Sequence, residues 1–144
     1  MKKDSIHFEV PMVPIGKGRP KFSTFGGHVR AITPSKTRNA EGTIKLFAEQ
    51  AMAGHDLIQG PVHLEIIAIF PVPASYSKAK RQACLMGDIF PTKKPDIDNI
   101  EKLVCDSLNT VVFEDDVQVV RTSARKIYGE RPRLIITVSP IEVD

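Results

Sequence analysis

The chain of 144 residues is long enough for one domain with a hydrophobic core, and its 42% hydrophobic and 26% charged residues are ordinary for a globular protein. No apolar run approaches the roughly 20 residues that a membrane span needs, and the start, MKKDSIHFEV, has no apolar signal region, so we expect a cytoplasmic protein. The net charge is only +3, but residues 95–116 carry seven acids and one Lys, whereas residues 1–38 carry eight Lys or Arg and two acids.

The first predicted element is a strand over IHFEVPMV, residues 6–13, in which apolar and polar side chains alternate. Prolines at Pro11 and Pro14 end this strand because proline cannot donate to a sheet ladder. The following stretch is rich in Gly, Pro, Lys and Arg, which predicts a long basic loop over about residues 14–36.

A helix is predicted from Ser35 or Thr37 to about Gly54, since its apolar residues recur at helical spacing. The stretch PVHLEIIAIFPV, which begins at Pro61, is rich in β-branched residues and predicts a strand.

Two further helices are predicted, a short basic one over about residues 77–86 and another over about residues 98–110. The last two strands, VQVVRTSARKIYG and RPRLIITVSP, are expected to pair as an antiparallel hairpin through a turn at Gly129. The order is roughly β-α-β-α-α-β-β. It predicts a single α+β domain over residues 1–144, with a mixed β-sheet and helices packed against it.

The helix over about residues 98–110 separates two kinds of side chain on a helical wheel. Its apolar side consists of Ile100, Leu103, Val104 and Leu108, and its polar side of Lys102, Cys105, Asp106 and Asn109. The helix is therefore expected to bury one face and to present acids and a lysine on the other. Asp98 precedes Glu101 by three residues, which predicts a capping box with Asp98 as the N-cap.

Asp96 and Asp98 are two residues apart in a segment that Pro95 keeps extended, where alternate residues point to the same side. Their carboxylates can therefore converge in front of the helix, and the pair Asp115–Asp116 can supply a further ligand. Hard divalent cations such as Mg²⁺ prefer carboxylate oxygens. The pattern is consistent with a metal site, and equally with acids that only cap the helix and form a turn.

Basic residues flank these acids on both sides in the sequence. Lys17, Arg19 and Lys21 alternate in GKGRPKF, and Lys93 and Lys94 directly precede the acidic helix. An acidic metal centre framed by bases is typical of enzymes that cleave phosphodiesters, in which the bases hold the DNA backbone. We therefore predict that these five residues bind DNA.

The stretch KPDIDNIEKLVCDSLNTVVFEDDVQVV resembles the core signature of the RusA-type Holliday junction resolvases, a family with many phage and prophage members. The segments PMVPIGKGRPKFS and TPSKT resemble the opening of the same family. The resemblance extends from about Phe8 to Val138. The combination of D-x-D-N-x-x-K with DD-x-Q-V is far more specific than either motif alone.

This resemblance implies a homodimeric, Mg²⁺-dependent endonuclease of recombination and repair that binds four-way DNA junctions and nicks two opposing strands. Mn²⁺ is expected to substitute for Mg²⁺. By the same resemblance the metal-binding aspartates fall on Asp96, Asp98 and Asp116, and a catalytic lysine falls on Lys102. Asp106 matches an acid that is common in the family.

Two other functions remain open at this point. The first is a less selective nuclease that acts on flaps or other branched DNA. The second is a non-catalytic DNA-binding module, in which the acids serve only as caps and turns. The two nucleases differ in substrate preference, and the binding module differs from both because it cuts no DNA.

Overall fold

The structure is a computed structural model that describes residues 5–18, 21–25, 28–32 and 35–142; over 21–25 and 28–32 it describes the main chain only. Its strands are β1 (Ile6–Val10), β2 (Lys21–Phe25), β3 (His28–Ile32), β4 (Val62–Pro71), β5 (Val119–Gly129) and β6 (Arg133–Pro140). Its helices are α1 (Ser35–Ala51), α2 (Lys78–Leu85) and α3 (Ile97–Leu108), and a single 3-10 turn covers Asp116–Gln118. The predicted α+β fold with a mixed sheet is confirmed, and the predicted order of elements matches in outline.

Four strands form the main sheet in the order β1-β6-β4-β5. β4 occupies its centre because both faces of this strand are apolar: Ile66 and Ile69 point to opposite sides, and both are buried. β6 runs antiparallel to β4, and β5 runs parallel to it.

β5 and β6 therefore do not form the antiparallel hairpin that the sequence predicted. β4 lies between them, and each of the two strands covers one of its edges. A parallel neighbour cannot be reached by a tight turn, so the chain crosses over between β4 and β5, and this crossover carries α2 and α3. The alternating pattern of β5 and β6 identified both strands correctly, but it carries no information about their pairing partner.

The predicted basic loop over about residues 14–36 is wrong in part, because β2 and β3 pair within it as a separate antiparallel sheet. Lys21 is registered with Ile32, and Phe25 with His28. The sequence contained a signal for this hairpin. KFSTF and HVRAI flank a Gly-Gly pair, which is typical of two-residue hairpin turns.

Helices α1 and α3 pack together against the apolar face of the sheet. The shared core contains Ala40, Ile44 and Ala48 from α1, Ile100, Leu103, Val104 and Leu108 from α3, and Leu64, Ile66, Leu134 and Ile136 from the central strands. α3 is thus fixed by its buried side, and its polar side is left at the surface. Among the described elements, no helix has both the length and the apolar content that a membrane crossing requires.

Candidate active site

The acidic helix α3 begins at an N-cap that differs from the predicted one. Asp96 is the N-cap: its main chain is extended, and its Oδ1 accepts a hydrogen bond from the N–H of Asn99 at 3.0 Å. Asp98 already lies in the first helical turn. The extended segment therefore ends at Asp96, and the alternation that was expected to align Asp96 with Asp98 does not extend to Asp98. The peptide bond between Lys94 and Pro95 is cis.

The division of α3 into two faces agrees with the helical wheel. Ile100, Leu103, Val104, Ser107 and Leu108 are buried. On the other side Lys102 is exposed one turn beyond Asp98, while Cys105 and Asp106 are partly exposed. The polar side of α3 thus keeps Asp98 and Lys102 at the surface, where a ligand can reach them.

The second acidic pair lies in the 3-10 turn that leads into β5. Asp115 caps this turn, and its side chain accepts a hydrogen bond from the N–H of Val117 at 3.2 Å. Asp116 is the first residue of the turn and is exposed. One acid of the pair therefore stabilises the turn, and the other faces solvent.

Gln118 fixes the position of this turn. The sequence motif DD-x-Q-V contains this residue but did not indicate its role. Its Oε1 accepts hydrogen bonds from the N–H groups of Glu114 and Asp115 at 2.9 and 3.1 Å. Its Nε2 donates to the carbonyls of Ile58 and Gly60, both at 2.9 Å. The side chain therefore ties the acidic turn to the segment that precedes β4.

The acids of the turn and of α3 influence one another electrostatically. A hydrogen bond with Asp115 is the largest cause that raises the pKa of Asp116, followed by burial and by the negative charges of Asp115 and Asp106. Burial raises the pKa of Glu101, and the charge of Asp98 adds to this effect. Asp116 thus lies within electrostatic range of the polar side of α3.

Cys105 lies among these acids on α3. Burial, followed by the charges of Asp116, Asp106 and Glu101, raises the pKa of its thiol to about 11. This thiol is free, as is that of the buried Cys84.

The predicted metal ligands Asp96, Asp98 and Asp116 provide the oxygen atoms that a hard cation prefers. Within the part of the chain that the structure describes, however, no three side chains of the His, Cys, Asp or Glu type are grouped so that they could hold a metal ion. Mg²⁺ needs only one or two protein carboxylates together with water and phosphate oxygens. The three carboxylates suit such an ion chemically, but water or phosphate oxygens would have to supply its remaining ligands.

Three of the five predicted DNA-binding residues line a groove of about 1000 Å³ at the N-terminus of α3. Lys17, Lys93 and Lys94 line this groove together with Asp96. Lys93 and Lys94 are exposed. Arg19 lies outside the described residues, and for Lys21 only the main chain in β2 is described.

Lys17 differs from the other lysines of the groove because its ammonium is held by two carboxylates. Its Nζ lies 2.5 Å from Oδ2 of Asp106 and 3.1 Å from Oε1 of Glu41. The hydrogen bond to Asp106 is the largest of the causes that raise the pKa of Lys17. Glu41 belongs to α1, and nothing in the local sequence pattern indicated that it would reach this site.

The family model described as "Endodeoxyribonuclease RusA" matches residues 11–139, and the chain therefore belongs to the RusA endodeoxyribonuclease family. The match covers both the basic arm, residues 14–21, and the acidic helix, so the resemblance seen in the sequence is confirmed. A Bacillus subtilis (strain 168) protein, described as "Uncharacterized protein YqaN", is 35% identical over 140 residues, which are 96% of this chain and 98% of that protein.

Proposed function

We propose that this protein is a Mg²⁺-dependent endonuclease that resolves four-way DNA junctions by paired nicks in recombination and repair. The observation that carries the proposal is the groove at the N-terminus of α3, which is lined by the exposed Lys93 and Lys94 and by Asp96. Cationic walls attract the phosphate backbone, and an acid in the same groove provides a ligand for a cation at that phosphate.

Asp96, Asp98 and Asp116 are proposed to hold the metal ion, for which Mn²⁺ can substitute. When bound, such an ion lowers the pKa of a coordinated water and stabilises charge on the phosphate. The exposed carboxylates of Asp98 and Asp116 are free to turn toward an ion that arrives with the DNA. Phosphate oxygens and water are expected to complete the ligand set, since Mg²⁺ usually retains several non-protein ligands.

Lys102 is proposed to act on the reacting phosphate. It is exposed on the same side of α3 as Asp106 and follows Asp98 by one helical turn. From this position an ammonium can stabilise negative charge on the phosphate or orient the attacking water. Asp116, at the end of the crossover between β4 and β5, is proposed to act together with Lys102.

Lys93, Lys94, Arg19 and Lys21 are proposed to bind the DNA backbone. The first two precede α3 and line the groove, and the other two belong to the basic arm that leads into β2. Contacts to phosphates position DNA without reading its sequence, which suits an enzyme that recognises the shape of a junction.

A homodimer is part of the proposal because two symmetric nicks on a junction with approximate two-fold symmetry require two active sites. We place this activity in the cytoplasm of a bacterium, with either the bacterium or a phage as the source of the gene.

The test is a cleavage assay on a synthetic mobile four-way junction with and without Mg²⁺, with flap and duplex DNA as competitors. We expect paired nicks in the junction that require Mg²⁺ or Mn²⁺, and Asp98→Asn should retain junction binding while losing cleavage. Equal cleavage of flaps would indicate a less selective nuclease. Binding without any metal-dependent nick would indicate a DNA-binding module and would refute the proposed enzyme.

A further inference from the structure

Lys17 is anchored by its main chain as well as by its side chain. Its N–H donates to the carbonyl of Asn99 at 3.0 Å, and the N–H of Gly18 donates to Oγ1 of the buried Thr37 at 2.9 Å. On the other side Gly16 packs so closely on α3 that an added Cβ would lie 2.7 Å from the Cβ of Asn99. The basic arm is therefore fixed to α3 and α1 on both sides of Lys17.

The side chain of Lys17 is directed along α3 toward Asp106. Its ammonium has three donors, and Asp106 and Glu41 occupy two of them. The side chains of Lys17, Asp106 and Glu41 are 25%, 31% and 28% exposed, so the ion pair is partly shielded from water. Partly buried pairs are screened less by salt than exposed pairs. A lysine in this environment has less to gain from a DNA phosphate than an exposed one.

Asp106 in turn lies on the polar side of α3, and α3 contacts the 3-10 turn that carries Asp116. An unpaired Asp106 would add negative charge beside the proposed metal ligand and would be free to rotate toward it. Lys17 compensates this charge and holds the carboxylate of Asp106 on the side of α1. The ammonium of Lys17 thus reduces the negative charge of the acidic site from the side that faces α1.

We propose that Lys17 is a positioning residue that holds Asp106 away from the proposed metal ligands, and that it does not bind DNA phosphate. This inference rests on the proposed function and assigns a different role to one of the five basic residues that the sequence predicted to bind DNA. It also explains why the basic arm is anchored to α3: the anchor places one cation among the acids before the arm continues toward β2.

The first experiment compares Lys17→Met with Lys93→Met, since each variant removes one ammonium from the same groove. Junction binding without divalent metal is measured over a range of salt concentrations. Lys93→Met should reduce the slope of log K against log salt by about one, as expected for a lost phosphate contact, whereas Lys17→Met should leave the slope unchanged. A reduction by about one in Lys17→Met would overturn the inference, whether or not the wild-type protein cleaves DNA.

The second experiment measures cleavage of the junction at increasing Mg²⁺. Lys17→Met should lower kcat by about tenfold because Asp106 is misplaced, yet it should need less Mg²⁺ for half-maximal cleavage because the site is more negative. Asp106→Asn in the same background should restore the wild-type Mg²⁺ requirement. A general structural defect would not lower the Mg²⁺ requirement. An unchanged requirement in Lys17→Met, or additive effects of the two substitutions, would contradict the inference.

The third experiment uses the wild-type protein and so does not depend on the folding of a variant. Lysines are acylated with and without junction DNA, and the modified residues are identified by mass spectrometry. Lys93 and Lys94 should react quickly in the free protein and be protected by DNA, whereas Lys17 should react slowly in both states. Fast acylation of free Lys17 together with protection by DNA would establish a phosphate contact and overturn the inference.

Discussion

Oδ1 of Asp96 accepts a hydrogen bond from the main-chain N–H of Asn99 at 3.0 Å, which makes Asp96 the N-cap of α3. Asp98, only two residues later, is exposed in the first turn. Both aspartates belong to the proposed metal site, but only Asp96 caps the helix with a side-chain hydrogen bond. Substitutions at the two positions can therefore separate folding from catalysis.

Asp96→Ala should lower the free energy of unfolding by about 1 kcal/mol, since it removes the cap. Asp96→Asn keeps a side-chain oxygen that can accept the same hydrogen bond, so its stability should stay within about 0.5 kcal/mol of the wild type. The free energy of unfolding of Asp98→Asn should stay within the same range of the wild-type value. Urea unfolding measures all three values, and all three variants should lose metal-dependent cleavage. If Asp96→Asn were as unstable as Asp96→Ala, the cap would not be the source of the effect.

Gly16→Ala should destabilise the protein because its new Cβ would lie 2.7 Å from the Cβ of Asn99 and 3.0 Å from that of Pro95. We expect a loss of about 1–3 kcal/mol, as is typical of overpacking, measured by urea unfolding. Gly42→Ala is the matched control, since nothing lies within 4 Å of its Cβ and Gly42 is within α1. That substitution should stabilise the protein by about 0.5–1 kcal/mol. Equal effects of the two substitutions would show that the arm does not pack on α3.

The features that the sequence could predict are those that depend on residues close to one another along the chain. The buried face of α3 and the strand β4 were predictable because helical and strand periodicity are local, and the basic and acidic motifs were visible for the same reason. The partner of β5 was not predictable, because β4 lies far from it in the sequence and the alternating pattern of β5 suits either neighbour. The bond between Lys17 and Asp106 spans 89 positions and leaves no trace in the local pattern of either residue.

Gln118→Ala should loosen the acidic turn, since the side chain of Gln118 bonds to two amides and two carbonyls. Net contributions of about 0.5–1.5 kcal/mol per hydrogen bond, partly replaced by water, predict a loss of about 1–3 kcal/mol in unfolding free energy. Cleavage should fall as well, because Asp116 is then less well positioned. Gln59→Ala is the control: Gln59 is exposed, and its side chain makes a single long contact, at 3.5 Å, with the carbonyl of Leu57. Equal stability of the two variants would show that Gln118 does not hold the turn.

The thiol of Cys105 should be unreactive at moderately alkaline pH. Burial, with help from the nearby acids, raises its pKa from an ordinary value of 9.0 to about 11, so that at pH 8 the thiolate is about 100-fold rarer than in an unperturbed cysteine. Iodoacetamide labelling followed by peptide mass mapping should show a rate at Cys105 that keeps rising until about pH 11. Asp116→Asn should increase the rate only slightly, because burial is the larger cause.

The same shift predicts how the thiol affects stability. Since the pKa of Cys105 is higher in the folded state, the unfolded chain loses the thiol proton first as pH rises. The contribution of this thiol to stability is therefore complete below pH 9 and is lost as the pH approaches 11. Urea unfolding of the wild type and Cys105→Ala isolates the contribution, because the other alkaline titrations are common to both proteins. The difference in unfolding free energy between them should change between pH 8 and pH 10.5 in favour of the variant, and a constant difference would contradict the raised pKa.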